Sequence, residues 1–362
     1  MSSSPKVIKD LEQVTPEWLT AVLHYSGALN TGEVTSITAS GGSGNWSSNA
    51  RLALTYSSDA QGKCPANLFL KMVNTDTGDG EFFLPSEVTY YTRDYVDLPD
   101  APLVRCYHAA YDPAQHRYHL LLDDLTATHQ AGYDKIPTLA HGYALAEGLA
   151  FMHAHWWGEA RLAQIGASFH DAAHLRRFVA IGEPGIPHVH THFGARLKPH
   201  WPATIEQIFA GLPHRLAAQA QDKINFTLLH GDPNPGNMLV PKVGERPLYL
   251  IDQQPFDWSI TTWAGAFDLA YVMALYWETE LRRELEMPVL RHYHYTLTQR
   301  GVQGYTWEQL FNDYRLCVAL MVPVAVEYMH DGGDPDWNEF RFGLVSRTLT
   351  ACDDLRCEQL FL

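Results

Sequence analysis

Three observations predict an α+β fold of two lobes, the first β-rich and the second mostly helical. Strand-like runs dominate the chain through residue 122, long helical patterns take over afterwards, and a short hairpin pattern sits inside the helical part. The boundary is expected around Asp123 to Thr128, giving lobes of residues 1–123 and 124–362. No internal repeat or low-complexity tract interrupts this division.

The elements follow in order. Thr15-Pro16-Glu17-Trp18 opens a short helix, with Thr15 as cap, Pro16 in the first turn and Gly27 as its end. Glu33 to Ala39 and Ala50 to Tyr56 are expected strands, and Leu68 to Val73 is a third. Ser86 to Tyr95 interrupts them as a helix. Behind residue 128 the helical patterns run Thr138 to Trp157, Pro202 to Ala220, Thr262 to Trp277 and Trp307 to Met329. Pro184 to Pro202, rich in Pro, Gly and His, is expected to be irregular.

The hairpin carries the most information. Apolar runs at Asn237 to Val240 and Leu248 to Asp252 flank a turn-rich segment with Pro241, Gly244 and Pro247. An antiparallel pairing sets the start of one run beside the end of the other, so Asn237 and Asp252 should meet. His230-Gly231-Asp232-Pro233-Asn234-Pro235-Gly236-Asn237 feeds Asp232 to the same spot. Two carboxylates and an amide are hard oxygen donors of the kind that suit Mg²⁺. Taken alone, the Pro- and Asn-rich run also makes an ordinary surface turn, and Asp252 a solvated strand end. The joint spacing favours a site, because H-x-D-x-x-x-x-N followed by an Asp after a second strand is the active-site pattern of kinases.

A kinase site requires a phosphate-gripping half upstream. Ser40-Gly41-Gly42-Ser43-Gly44-Asn45 lies between two expected strands, where backbone N–H groups can approach phosphate oxygens. It matches G-x-G-x-x-G only at Gly42-Ser43-Gly44, so by itself a flexible hairpin tip explains it better. No G-x-x-x-x-G-K-[ST] occurs, which disfavours a P-loop enzyme. Lys71 lies within an apolar strand. There it either extends its ammonium to the surface or binds phosphate, steadied by Glu87 from the next helix; Glu81, ahead of Pro85, is the weaker partner.

From these residues the chain resembles the aminoglycoside phosphotransferase and choline kinase superfamily, and within it the ecdysteroid kinase-like branch and its bacterial relatives. His230 to Asn237, Ile251-Asp252-Gln253-Gln254, Gly265 to Tyr271 and the hinge-like Leu120 to Leu125 carry the likeness. It implies a protein-kinase-like fold and transfer of the γ-phosphoryl group of ATP to a hydroxyl of a small molecule. Asp232 would take or orient the hydroxyl proton, Asn237 and Asp252 would hold Mg²⁺, and Lys71 with Glu87 would neutralise phosphate. Gly42, Ser43, Gly44 and Asn45 would cover the phosphates. Main-chain groups at Asp124 and Leu125, with Leu122 packed alongside, would hold adenine. His230 and Asp268 would brace the loop. Asp252 is followed by Gln-Gln rather than Phe-Gly and no Ala-Pro-Glu follows, so a protein-phosphorylating kinase is not expected.

Composition sets the outer limits. Hydrophobic content of 46% with 19% charged residues is that of an ordinary globular protein. A net charge of −15 argues against nucleic acid or a polybasic membrane contact as partner. The amino terminus shows no secretory pattern, no long apolar run occurs and the five cysteines form no C-x-x-C pair, so a cytoplasmic protein is expected. Two other functions stay open: a pseudokinase that binds nucleotide or a partner, and a metal-dependent hydrolase. The second would use His188, His190 and His192, which an extended segment would line up on one face. Trp258, Trp263, Tyr271 and Trp277 are candidates to contact the acceptor, although aromatics at helical spacing usually form core. Glu327, Asp331, Asp334 and Asp336 could meet an amino group or simply line a loop. The acceptor itself, the choice between ATP and GTP, and the oligomeric state are not legible.

Overall fold

The computed structural model describes residues 6–43, 47–76, 78, 83–96, 98–166, 169–221, 225–244, 247–330, 332 and 335–361. The fold is α+β, 50% helical and 19% strand. It comprises two compact units: Met1–Gln130 with Pro241–Gly244 and Pro255–Asp257, and the remainder of the chain.

The first unit is built on a five-stranded antiparallel sheet. Its strands lie in the order Val34–Ser43, Ser47–Tyr56, Asn67–Asn74, Arg117–Asp123 and Cys106–Asp112. Alternation along each strand divides the residues between two faces. Leu52, Leu68, Leu70, Met72 and Leu121 point to one face and bury against Leu19, Val22 and Leu23 of the Pro16–Tyr25 helix. That helix is capped by Thr15, whose side chain accepts the Trp18 N–H, and has Pro16 in its first turn. Gly27 follows its end with φ +67°. The opposite face carries a cross-strand row of Asn49, Lys71 and Leu120, with Phe69 facing Leu122 beside it. A polar lysine is tolerated on that face because a buried carboxylate meets it there.

The second unit is mostly helical. Its long helices are Leu139–His155, Trp201–Gln219, Thr279–Gln299, Trp307–Glu327 and Asn338–Leu355. Thr279–Gln299 and Asn338–Leu355 lie outside the helices expected from sequence, and Pro288 sits inside the first of them. Among the described residues, no helix is long and apolar enough to cross a membrane.

Two expectations are corrected. The 184–202 segment is not irregular, because Gly185–Phe193 is helical and Trp201 begins the next long helix. Gly185, Val189 and Phe193 form its buried stripe, and Gly185 packs directly on the Val326 carbonyl, where no side chain fits. The expected helix from Thr262 to Trp277 is also divided. Thr262–Ala264 forms a strand antiparallel to Phe226–Leu228, and the helix begins at Ala266. Gly265 makes the corner, pressed against the Tyr293 hydroxyl and the His153 ring. From Tyr271 to Tyr276 the helix widens into π turns, a feature frequent near functional sites.

Candidate active site

Local turn chemistry builds the 230–237 loop. The Asn234 side chain accepts the Gly236 N–H at 2.7 Å, and the Asn234 carbonyl accepts the Asn237 N–H at 2.9 Å. Pro233 and Pro235 restrict the backbone on either side. The chain then enters the strand Met238–Pro241, which pairs with Tyr249–Leu250 through Met238↔Leu250 and Leu239↔Tyr249. The first strand is shifted by one residue from the expected run, and the second is shorter than expected. The Ile251 N–H donates to the Asn237 carbonyl at 3.0 Å, so Asn237 stands opposite Ile251 and Asp252 lies one residue beyond direct register. Asp252 there adopts φ +57°, the left-handed region that Asp and Asn tolerate best after glycine.

The three residues nevertheless converge, Asp252 through its main chain. The Asn237 amide nitrogen donates to the Asp232 carbonyl at 2.9 Å, to Asp232 Oδ2 at 3.1 Å and to the Asp252 carbonyl at 3.4 Å. Asn234 donates to the other Asp232 oxygen at 3.0 Å. Burial pushes the Asp232 carboxyl up to about 6, and the Asp252 charge adds to the rise, while hydrogen bonds from Asn234, Tyr271 and Asn237 oppose it. The donor set fits magnesium. Its oxygens are hard, few protein ligands suffice for that ion, and two mutually repelling carboxylates favour a divalent cation.

A second layer holds the loop in place. Asp268, fully buried, accepts the main-chain N–H of His230 at 2.8 Å and of Gly231 at 2.9 Å. His153 lies between, with Nε2 at 3.1 Å from Asp268 and Nδ1 at 2.8 Å from the Tyr293 hydroxyl. The His230 ring donates to the Ile251 carbonyl at 2.9 Å, tying the loop to the hairpin. Burial lowers its pKa, and the nearby Asp268 charge works against that shift. Gln254 donates its N–H to the His230 carbonyl at 3.1 Å, and the Gln253 amide reaches the Leu229 carbonyl at 3.2 Å. Gly231, at φ +82°, is needed because a Cβ there would stand 2.8 Å from Gln254 Cβ.

Tyrosines from distant segments surround Asp232. Tyr133 packs on the loop, its ring edge 3.1 Å from where a Cβ on Gly236 would be. Its ring centre is 6.1 Å from that of Tyr276, which is 6.0 Å from Tyr271. The Tyr276 and Tyr328 hydroxyls are 3.3 Å apart. Of the aromatics singled out in sequence, Trp263 and Trp277 are core and Trp258 stacks obliquely near Phe178. Tyr271 alone joins this group. Tyr133, Tyr276 and Tyr328 carry no local motif that marks them.

The first unit holds a cluster of its own. Lys71 Nζ is 2.6 Å from Glu87 Oε2, and the Tyr118 hydroxyl donates to the same oxygen at 2.7 Å. Glu87 projects from the Ser86–Thr89 helix, which continues as π turns through Asp94 rather than as one regular helix. Gly41 and Gly42 are not in a loop: they pair with Ala50 and Asn49, and Ser43 pairs with Ser48. Gly44 and Asn45 lie outside the described residues, as do Glu81, Asp331 and Asp334. Leu122 is buried near the end of its strand. The Asp124 carboxylate accepts the Thr126 N–H at 2.8 Å and its hydroxyl, and the Leu125 carbonyl accepts the Thr128 and His129 N–H groups.

The three histidines of the 188–192 segment lie on a helix, so the extended row expected of them is absent. His188 and His192 share a face with ring centres 6.3 Å apart, and His190 points away from it. Among the described residues, no group of three or more His, Cys, Asp or Glu side chains is arranged to hold a metal ion.

Comparison with known proteins agrees with the resemblance seen in the sequence. The model of the ecdysteroid kinase-like family matches residues 190–302, a span that includes the 230–237 loop, the hairpin and Asp268. A sequence comparison with curated proteins gives no match. Among solved structures, the fold is similar to a choline kinase from Cryptosporidium parvum, with TM-score 0.54 at 11% identity, over 90% of this chain and 91% of that one. It is also similar to a spectinomycin phosphotransferase in complex with ADP and spectinomycin, with TM-score 0.52 at 12% identity, over 93% and 98% of the two chains. The fold is thus kinase-like.

Proposed function

We propose that this chain is an ATP- and magnesium-dependent phosphotransferase that moves the γ-phosphoryl group to a hydroxyl of a small molecule. The convergence of Asp232, Asn237 and Asp252 on one hydrogen-bonded cluster carries this reading. The family match over the same residues and the kinase-like fold support it.

Asp232 would accept the proton of the attacking hydroxyl. Held near 6, it remains mostly ionised at neutral pH yet is more basic than an ordinary carboxylate. Asn234 and Asn237 orient its two oxygens, so the base needs no rearrangement before it acts. The Asn237 amide oxygen and the Asp252 carboxylate would hold Mg²⁺, which supplies positive charge to the phosphate oxygens when bound. Asp268 and His230 keep the loop in the geometry that aims Asp232.

In the other unit, Lys71 would neutralise phosphate charge, its ammonium fixed by Glu87 rather than free to extend into solvent. Backbone N–H groups in the segment of Gly42, Ser43, Gly44 and Asn45 would approach phosphate oxygens. At the hinge the Leu125 carbonyl already closes a turn, so other main-chain groups around Asp124 and Leu125 would meet adenine beside Leu122. Transfer through a loose transition state asks chiefly for this positioning and charge neutralisation.

The test is a panel of hydroxylated compounds incubated with protein, ATP and magnesium, with mass detection of an added phosphate. Phosphorylated product that requires magnesium is expected. Nucleotide binding with no transfer to any alcohol would instead leave a pseudokinase.

A further inference from the structure

The second unit holds a cavity that shares no residue with the Asp232 cluster. Its volume is about 510 Å³, large enough for a small organic molecule. Helical period explains its two walls. Arg215, Ala218 and Gln219 lie at i, i+3 and i+4 on the helix Trp201–Gln219, and Gln309, Asn312 and Asp313 repeat that spacing on Trp307–Glu327. The small side chain of Ala218 keeps the space between them open. Phe226 and Leu316, both buried, form the apolar part of the lining.

A gap left by imperfect helix packing is apolar and stays dry. This cavity is instead lined by polar groups with hydrogen-bonding capacity to spare. Arg215 carries a full charge and has no ion-pair partner among the described residues. The Gln219 amide is fixed by donating to Asp313 Oδ1 at 2.7 Å, yet its Oε1 is buried with no hydrogen-bond partner among them. Such an acceptor is unfavourable until a donor meets it. Asp313 is itself held, its other oxygen taking the Tyr305 hydroxyl at 2.7 Å. Gln309 caps its helix with its amide oxygen, which accepts the Thr306 N–H at 2.7 Å and leaves its amide N–H groups to donate.

We propose that this cavity binds a small polyhydroxylated carboxylate, the class of the sugar acids. Arg215 would take the carboxylate in its planar fork, and the nearby amino-terminal turn of Trp307–Glu327 favours the same charge. Ligand hydroxyls would donate to Gln219 and Asp313 and accept from Gln309, while Phe226 and Leu316 pack on the carbon skeleton. One arginine set against one aspartate suits a single negative charge better than a phosphate dianion. The proposal does not depend on the phosphotransferase reading, because no residue of that site takes part.

Titration calorimetry of the full-length protein with gluconate tests it. Three comparison compounds each lack one feature: sorbitol the charge, hexanoate the hydroxyls, and inorganic phosphate the skeleton. Gluconate should bind at least about tenfold more tightly than any of them. Arg215→Ala should weaken gluconate about tenfold, and Ala218→Phe, which fills the cavity, should abolish its binding. Both positions are exposed, so both variants should keep the wild-type melting temperature without ligand. Arg176→Ala, which removes an exposed arginine from another helix, should change nothing. No gluconate binding at about 10 mM would overturn the proposal. So would affinity no better than that of the comparison compounds, or binding unaltered in Arg215→Ala and Ala218→Phe.

Discussion

The Asp268 carboxylate and the main chain of His230 are joined at 2.8 Å inside a fully buried site, with the Gly231 N–H on the other oxygen at 2.9 Å. Two buried donors thus depend on one side chain from a helix far along the sequence. Asp268→Ala leaves both without that acceptor and should destabilise the protein by about 3 kcal/mol. Denaturant unfolding measures this. Asp268→Asn keeps one carbonyl oxygen and should cost less, while still impairing turnover because the loop is no longer held on both sides.

Lys71 and Glu87 give a second prediction. Glu87→Gln keeps an oxygen for the Tyr118 hydroxyl but removes the ion pair. Nucleotide affinity should fall about tenfold, which corresponds to about 1.4 kcal/mol. Lys71→Ala should weaken it at least as much. Fluorescent-nucleotide titration reads both, and unaltered affinity in the two variants would remove this pair from the nucleotide site.

Asp252 combines a left-handed backbone with a neighbouring carboxylate, two features that function explains better than stability. Asp252→Asn tolerates the backbone and removes the charge repulsion. The unliganded variant should therefore melt no lower than the wild type. The rise in melting temperature brought by magnesium and nucleotide together should shrink sharply, since binding to the native state is what produces it. An undiminished rise would exclude Asp252 as a ligand.

The sheet of the first unit contains a pH-sensitive pair. The Ile8 N–H donates to His119 Nδ1 at 3.0 Å, so His119 carries its proton on Nε2 and donates to His108 Nδ1 at 2.8 Å. Burial pushes His119 down to about 3, with the neighbouring His108 adding to the shift, and burial lowers His108 as well. Below the ordinary histidine range the unfolded chain binds protons that the folded chain refuses. Stability from this pair is complete above about pH 6.5 and is lost as pH falls towards 3, at a rate on the order of 1.4 kcal/mol per pH unit for His119. Melting temperature should drop between pH 7 and pH 5, and His119→Gln should reduce the slope.

Much of this was legible in the sequence where the determinants are local. The α+β division follows from apolar period, and the 230–237 loop from Pro, Asn and Gly within a few residues. The hairpin follows from the turn between two apolar runs, and Glu87 from a position one helix after the Lys71 strand. What was missed depends on partners remote in the chain. Thr262–Ala264 is a strand only because Phe226–Leu228 lies beside it. Gly185, Val189 and Phe193 form a helical stripe only because Val326 and its neighbours receive them. Tyr133, Tyr276 and Tyr328 come from separate segments, and no spacing rule links them.

The central claim is that Asp232 takes the proton from the attacking hydroxyl. The most direct measurement compares wild type and Asp232→Asn for phosphate transfer to a phosphorylated member of the alcohol panel, with nucleotide affinity measured in parallel. The account predicts a loss of about 10²- to 10⁴-fold in transfer at nearly unchanged affinity for magnesium and ATP. Transfer at the wild-type rate in Asp232→Asn would contradict it.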